Sequence, residues 1–173
     1  PYWSLGYHQC RYGYHDLQAV EDVRNNFTAA EIPLDTVWFD IDYMERWEDW
    51  TFDPALFPEA QVKAFVDDLH ASGQKFVVIV DPGILQVDPS WGINYTAYTD
   101  GLAADVFVRD GFTGQPYVSQ VWPGPTLMPD WFHPNATEFW TNQLKNWHDI
   151  AEFDGVWVDM NEVSNFCSGQ VCE

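Results

Sequence analysis

Apolar runs alternate with amphipathic stretches along this chain and divide it into strand and helix units. From Phe76 to Val80 the run FVVIV has no polar interruption, which is the pattern of a strand buried on both faces in a parallel sheet. Two shorter runs, Val37 to Phe39 within Thr36 to Ile41 and Val156 to Val158, are too brief for helices and read as strands. Residues 3 to 12, WSLGYHQCRY, read as a first strand whose end carries His8, Arg11 and Tyr12. Between the runs, apolar residues recur at helical spacing. Leu17, Val20, Val23 and Phe27 mark a helix from Asp16 to about Ala30, and Val62, Phe65, Val66 and Leu69 mark one opened by Phe57-Pro58 and stopped by Gly73. A third follows His133-Pro134, with Phe139, Trp140, Leu144, Trp147 and Ile150 along one face. Trp140 and Trp147 read as core packing against the sheet.

After Pro82-Gly83 the pattern predicts a long irregular loop to about Ala104. A β-hairpin follows, Val106 to Val108 and Pro116 to Val121 flanking a turn at Asp110 to Gln115, ended by Trp122-Pro123-Gly124-Pro125. The order is therefore βαβαβ(hairpin)αβ, an α/β arrangement with a parallel sheet and right-handed crossovers.

Each of the last three strands runs into an acid: Asp40, Asp81 and Asp159. With period-two alternation, Trp38, Ile79 and Trp157 share a face with the aspartate two residues on. Carboxylates gathered at the C-terminal ends of several strands are how an α/β barrel builds a site, and an indole beside a carboxylate suits a sugar ring. A complete (β/α)8 barrel takes about 250 residues, and only about half of its strand and helix units can be placed here. The chain begins at Pro1 and ends at Glu173, and is expected to be a fragment that is inactive and poorly folded alone. His8 reads as a hydrogen-bonded core histidine in preference to a catalytic one. Trp47 and Trp50, in a polar loop, are either sugar platforms or that loop's own small core.

Charge narrows the partners. A net charge of −20, from 27 acids against 7 Lys and Arg, disfavours nucleic acid and anionic membrane, because counterion release requires a basic surface. No apolar run approaches the ~20 residues of a membrane span. Asn26-Phe27-Thr28, Asn94-Tyr95-Thr96 and Asn135-Ala136-Thr137 are glycosylation sequons, and Cys167 and Cys172 are placed to close a local disulfide, with Cys10 a lone buried thiol. These features predict a secreted or secretory-pathway protein, extracellular, vacuolar or lysosomal. No metal or other cofactor is expected, the cysteines having no histidine ligand nearby.

Read in order, WSLGYHQCRYGY, VWFDIDYM, VVIVDP, VWPGP and GVWVDMNE resemble the successive motifs of the family 31 glycoside hydrolases, the α-glucosidase and maltase group. The resemblance covers essentially the whole chain. It implies that residues 1 to 173 are one partial catalytic barrel, about its first four strand and helix units with no complete second domain. It also implies that this is the N-terminal half of a (β/α)8 TIM barrel, with an upstream β-sandwich and a downstream half barrel in the same protein. It further implies retaining exo-hydrolysis of terminal, non-reducing α-linked glucose from an oligosaccharide. Asp159 is then the nucleophile, with Trp157 and Met160 lining its subsite. Asp40 holds sugar hydroxyls beside Ile41, and Ile79, Asp81 and Trp122 shape the pocket. Tyr12 stands where many members have Trp. The acid/base falls beyond Glu173, Glu162 being part of the nucleophile motif. Alternatives are another activity of the family (α-xylosidase, transglucosidase or endoplasmic reticulum glucosidase II), a metal-dependent barrel enzyme, or a non-catalytic sugar-binding protein.

Overall fold

The computed structural model describes residues 1–167. They fold as two compact units, the first comprising residues 1–47, 51–80 and 147–158, the second residues 48–50, 81–146 and those from 159 on.

The first unit is built on four parallel strands in the order β1 (His8–Gln9), β2 (Thr36–Phe39), β3 (Lys75–Val80) and β7 (Gly155–Val158). β3 is central, and Phe76, Val77, Val78, Ile79 and Val80 are all at most 3% exposed, as the uninterrupted run predicts. Helix α1 (Leu17–Ala29) starts where Asp16 accepts the Ala19 N–H at 2.8 Å, and α2 (Glu59–Ala71) ends before Gly73, whose φ of +77° reverses the chain without a Cβ clash. The odd face of β2 packs on α2: Phe39 stacks on Phe65 at 6.2 Å and meets Phe76 edge-on at 4.7 Å. Arg24 on α1 clamps the helix pair through Gln74 at 2.7 Å, Ser72 at 3.0 Å and an ion pair with Asp68. At the start of the strands, Asp154 binds Lys75 at 2.8 Å, His70 at 2.8 Å and the Phe76 N–H at 2.9 Å.

The second unit holds an antiparallel sheet in the order β4 (Ile84–Leu85), β6 (Gly124–Leu127), β5 (Val118–Val121), together with α3 (Thr96–Ala103) and much of α4 (Ala136–Ala151). Its core gathers Ile84, Leu85, Tyr95, Phe107, Leu127 and Phe139.

The structure departs from the sequence pattern in three places. The first strand is only His8–Gln9, because Tyr2–Leu5 coils into a 3-10 turn. The expected loop to Ala104 contains β4 and α3, a helix with no side-chain cap at its start to announce it. The hairpin pairs β5 with β6 around Trp122-Pro123, where Gly124 at φ +105° lets the chain turn, so WPGP is the tip and not the end. The Asp110 to Gln115 turn is present, closed by an isolated Arg109–Pro116 bridge.

Candidate active site

Parallel pairing sets the C-terminal strand ends of the first unit along one edge. Val80 of β3 faces Val158 of β7, whereas Phe39 of β2 faces Val78. One residue past Phe39, Asp40 is therefore level with Ile79, and Ile79 is paired with Trp157. An acid, an aliphatic and an indole thus form one row across neighbouring strands about 4.8 Å apart. Trp38 lies on the same face, its ring 5.8 Å from that of Trp157. The chain continues from β3 into Asp81 and from β7 into Asp159.

Asp40 is partly exposed and accepts the Ile41 N–H at 2.7 Å, capping the 3-10 turn Ile41–Tyr43. Tyr43 donates its hydroxyl to the Ile79 carbonyl at 2.8 Å, which fixes that turn to β3. Ile41 and Ile79 are buried at 3% and 1% exposure, so they shape the face by packing. Tyr12 is exposed and borders an open cavity of about 310 Å³ together with His15, Asp42, Met44, Trp47 and Asp53. Asp42, which the sequence did not single out, accepts the Gly13 N–H at 2.9 Å and lies 3.4 Å from His15. The loop tryptophans part company: Trp47 is exposed at this cavity, and Trp50 packs edge-on against Trp140 at 4.8 Å in the second unit, on a helix and not within its own loop. Trp147 sits against Phe52 and Tyr43 of the first unit as core, and Trp140 packs on Trp50 and Trp131 within the second.

His8 is the hydrogen-bonded histidine expected. Trp38 Nε1–H donates to its Nδ1 at 2.9 Å. Cys10 corrects the sequence reading, being exposed and not buried. Partial screening of its sulfur, and after it the negative charge of Asp40, raise the thiol to about 11, so it is no nucleophile at neutral pH.

In the second unit, Asp81 is 4% exposed and donates its backbone N–H to Asp49 Oδ1 at 2.8 Å. Burial, and then the charge of Asp81, push the Asp49 carboxyl well above the ordinary carboxylate range. Asp49 is a residue that sequence reasoning missed, since EDW in a charged loop carries no sign of burial. Asn161 donates its amide to the Asp159 carbonyl at 2.7 Å, and Met160 takes a left-handed φ of 58° while packing on Val121 and Met128. Trp122 is 42% exposed and meets Phe166 edge-on at 5.0 Å. Glu162 is exposed and accepts from Ser164.

The sequon residues Asn26, Asn94 and Asn135 are all exposed, and the Asn135 amide donates to the Ala104 carbonyl at 2.9 Å. Cys167 is disulfide-bonded, and Cys172 lies outside the described residues. Among the described residues no group of His, Cys, Asp and Glu is arranged to hold a metal ion, and no helix is long and apolar enough to cross a membrane.

The chain is 48% identical over 171 residues to alpha-xylosidase 1 of Arabidopsis thaliana, an alignment covering 98% of this chain and 18% of that protein. It is 44% identical over 168 residues to an alpha-glucosidase of Mucor javanicus, covering 97% and 19%. A chain from the crystal structure of the ER glucosidase II heterodimeric complex, catalytic subunit with the binding domain of the regulatory subunit, superimposes with a TM-score of 0.85 at 31% identity, over 98% of this chain and 18% of that one. The chain thus spans less than a fifth of the length of these relatives, and its four parallel strands are part of a barrel. The model of the glycosyl hydrolases family 31 TIM-barrel domain matches residues 1–173, and the chain belongs to that family.

Proposed function

We propose that this chain forms the nucleophile side of the active site of a retaining α-glucosidase, which releases terminal α-linked glucose from the non-reducing end of malto-oligosaccharides. The observation that carries the reading is the row Asp40, Ile79 and Trp157, at the strand end from which the chain runs into Asp159. A sugar presents an apolar C–H face and a rim of hydroxyls, and the row offers an indole for the first and a carboxylate for the second.

In the proposed reaction an Asp159 oxygen attacks the anomeric carbon as the glycosidic C–O bond breaks. The leaving oxygen takes a proton from an acid outside this chain, and water then releases glucose from the acyl-linked intermediate. Asp40 and Asp81 hold hydroxyls of the bound ring, and Tyr12, Ile41, Trp122 and Met160 border it. Residues 1–173 act as one part of the catalytic barrel, its remaining strands and an upstream β-sandwich being supplied by the same protein. The exposed sequon asparagines and the bonded Cys167 support a secretory-pathway location.

A second reading, α-xylosidase, is favoured by the identity to the Arabidopsis protein. Xylose lacks the C5 hydroxymethyl group of glucose, so the two readings differ in whether the pocket accepts that group. Full-length protein assayed on p-nitrophenyl α-glucoside and α-xyloside decides between them. Higher kcat/KM on the glucoside supports the first reading, and cleavage of the xyloside alone overturns it.

A further inference from the structure

Within the second unit the Asp81 peptide is held by a buried side chain from a distant loop. Asp49 is 1% exposed, its Oδ1 accepts the Asp81 N–H at 2.8 Å, and its Oδ2 is buried with no hydrogen-bond partner among the described residues. The chain on either side of Asp49 is strained. Arg46, Trp47 and Trp50, none of them glycine, have left-handed φ values of 53°, 59° and 59°. A left-handed non-glycine residue is strained and persists only where its surroundings impose it. Trp50 supplies that constraint, edge-on to Trp140 at 4.8 Å, which meets Trp131 at 4.8 Å. A strained, aromatically anchored loop thus delivers one buried carboxyl to one backbone amide.

We propose that Asp49 is a positioning residue for Asp81: by taking the Asp81 amide it fixes the peptide at the strand end in the orientation from which the Asp81 side chain grips sugar hydroxyls. This rests on the reading of Asp81 as a substrate-binding carboxylate. Burial, and after it the charge of Asp81, raise the Asp49 carboxyl and favour its protonated form. Asparagine is the isosteric mimic of that form.

The test uses full-length protein with D49N and D49A, read by amide exchange at Asp81 and by steady-state hydrolysis of p-nitrophenyl α-glucoside. D49A is expected to speed Asp81 exchange by at least about tenfold, and D49N to keep it within about threefold of wild type. D49A raises KM by about tenfold or more with a smaller change in kcat, and D49N recovers most of that loss. Unchanged exchange and KM in D49A, or D49N as damaging as D49A, overturns the proposal. If D49A does not fold, D49N decides through stability against pH. A neutral buried Asp49 loses stability as pH rises above about 4, where the unfolded chain ionises, so the advantage of D49N widens with pH; a flat difference overturns the proposal. Wild-type protein that cleaves neither glucoside nor xyloside sinks the glycosidase reading, while the exchange comparison still decides the role of Asp49.

Discussion

Ile79 and Trp157 are register partners across β3 and β7, which puts an aliphatic side chain beside an indole on the face shared with Trp38. Trp157 is partly exposed although its partner is buried at 1%, so the indole is the member of the pair open to contact from outside the strand layer. Replacing it removes that ring and leaves the strand backbone intact. W157A in the full-length enzyme is expected to lower kcat/KM on p-nitrophenyl α-glucoside about 10- to 100-fold, W157F less, with the melting temperature nearly unchanged. Equal kcat/KM in W157A and wild type would remove the indole from the site.

Asp154 ties the start of β3 to the end of α2 and has an acid-side signature. Burial pushes its carboxyl upward, but Lys75, the Phe76 N–H and His70 outweigh that and hold it below the ordinary range. A carboxyl depressed in the folded state stabilises above its unfolded pKa, and that stability disappears as pH falls through the folded value. D154A should therefore cost about 1–3 kcal/mol at neutral pH, with the difference from wild type closing below about pH 4. Denaturant melts of both proteins from neutral to acid pH check this, and a gap that persists in acid contradicts it.

The second unit has its own sensitive contact. A Cβ on Gly101 of α3 would stand 2.3 Å from the ring of Phe107, which is 4% exposed and locked in the core. G101A should destabilise by about 1–3 kcal/mol despite the better helix propensity of alanine. The double variant G101A/F107L, which frees the space, should recover part of the loss in a thermal melt.

Much of the parallel layer was legible because its signals are local. FVVIV is the doubly buried strand its uninterrupted run implies, α1 follows the helical spacing of Leu17, Val20, Val23 and Phe27, and α2 ends before Gly73. The second unit was less so for equally physical reasons. α3 contains a glycine and lacks a side-chain cap, so nothing in Thr96–Ala103 marks a helix; it forms because Ala97 and Gly101 pack into a core assembled from distant segments. The prolines of WPGP read as a terminator, yet a left-handed Gly124 makes them a hairpin tip. The strand-end acids were visible as a repeated ending. The Asp49 contact with Asp81 was not, because their separation of 32 residues leaves no periodic trace.

Covalent labelling of Asp159 tests the central claim most directly. Full-length wild-type protein incubated with a 5-fluoro-α-glucosyl fluoride should gain the mass of one glycosyl group on the peptide containing Asp159, and D159N should gain none and lose turnover by about 10⁴-fold or more. Labelling of D159N equal to wild type, or a wild-type label on any other residue, would contradict the account.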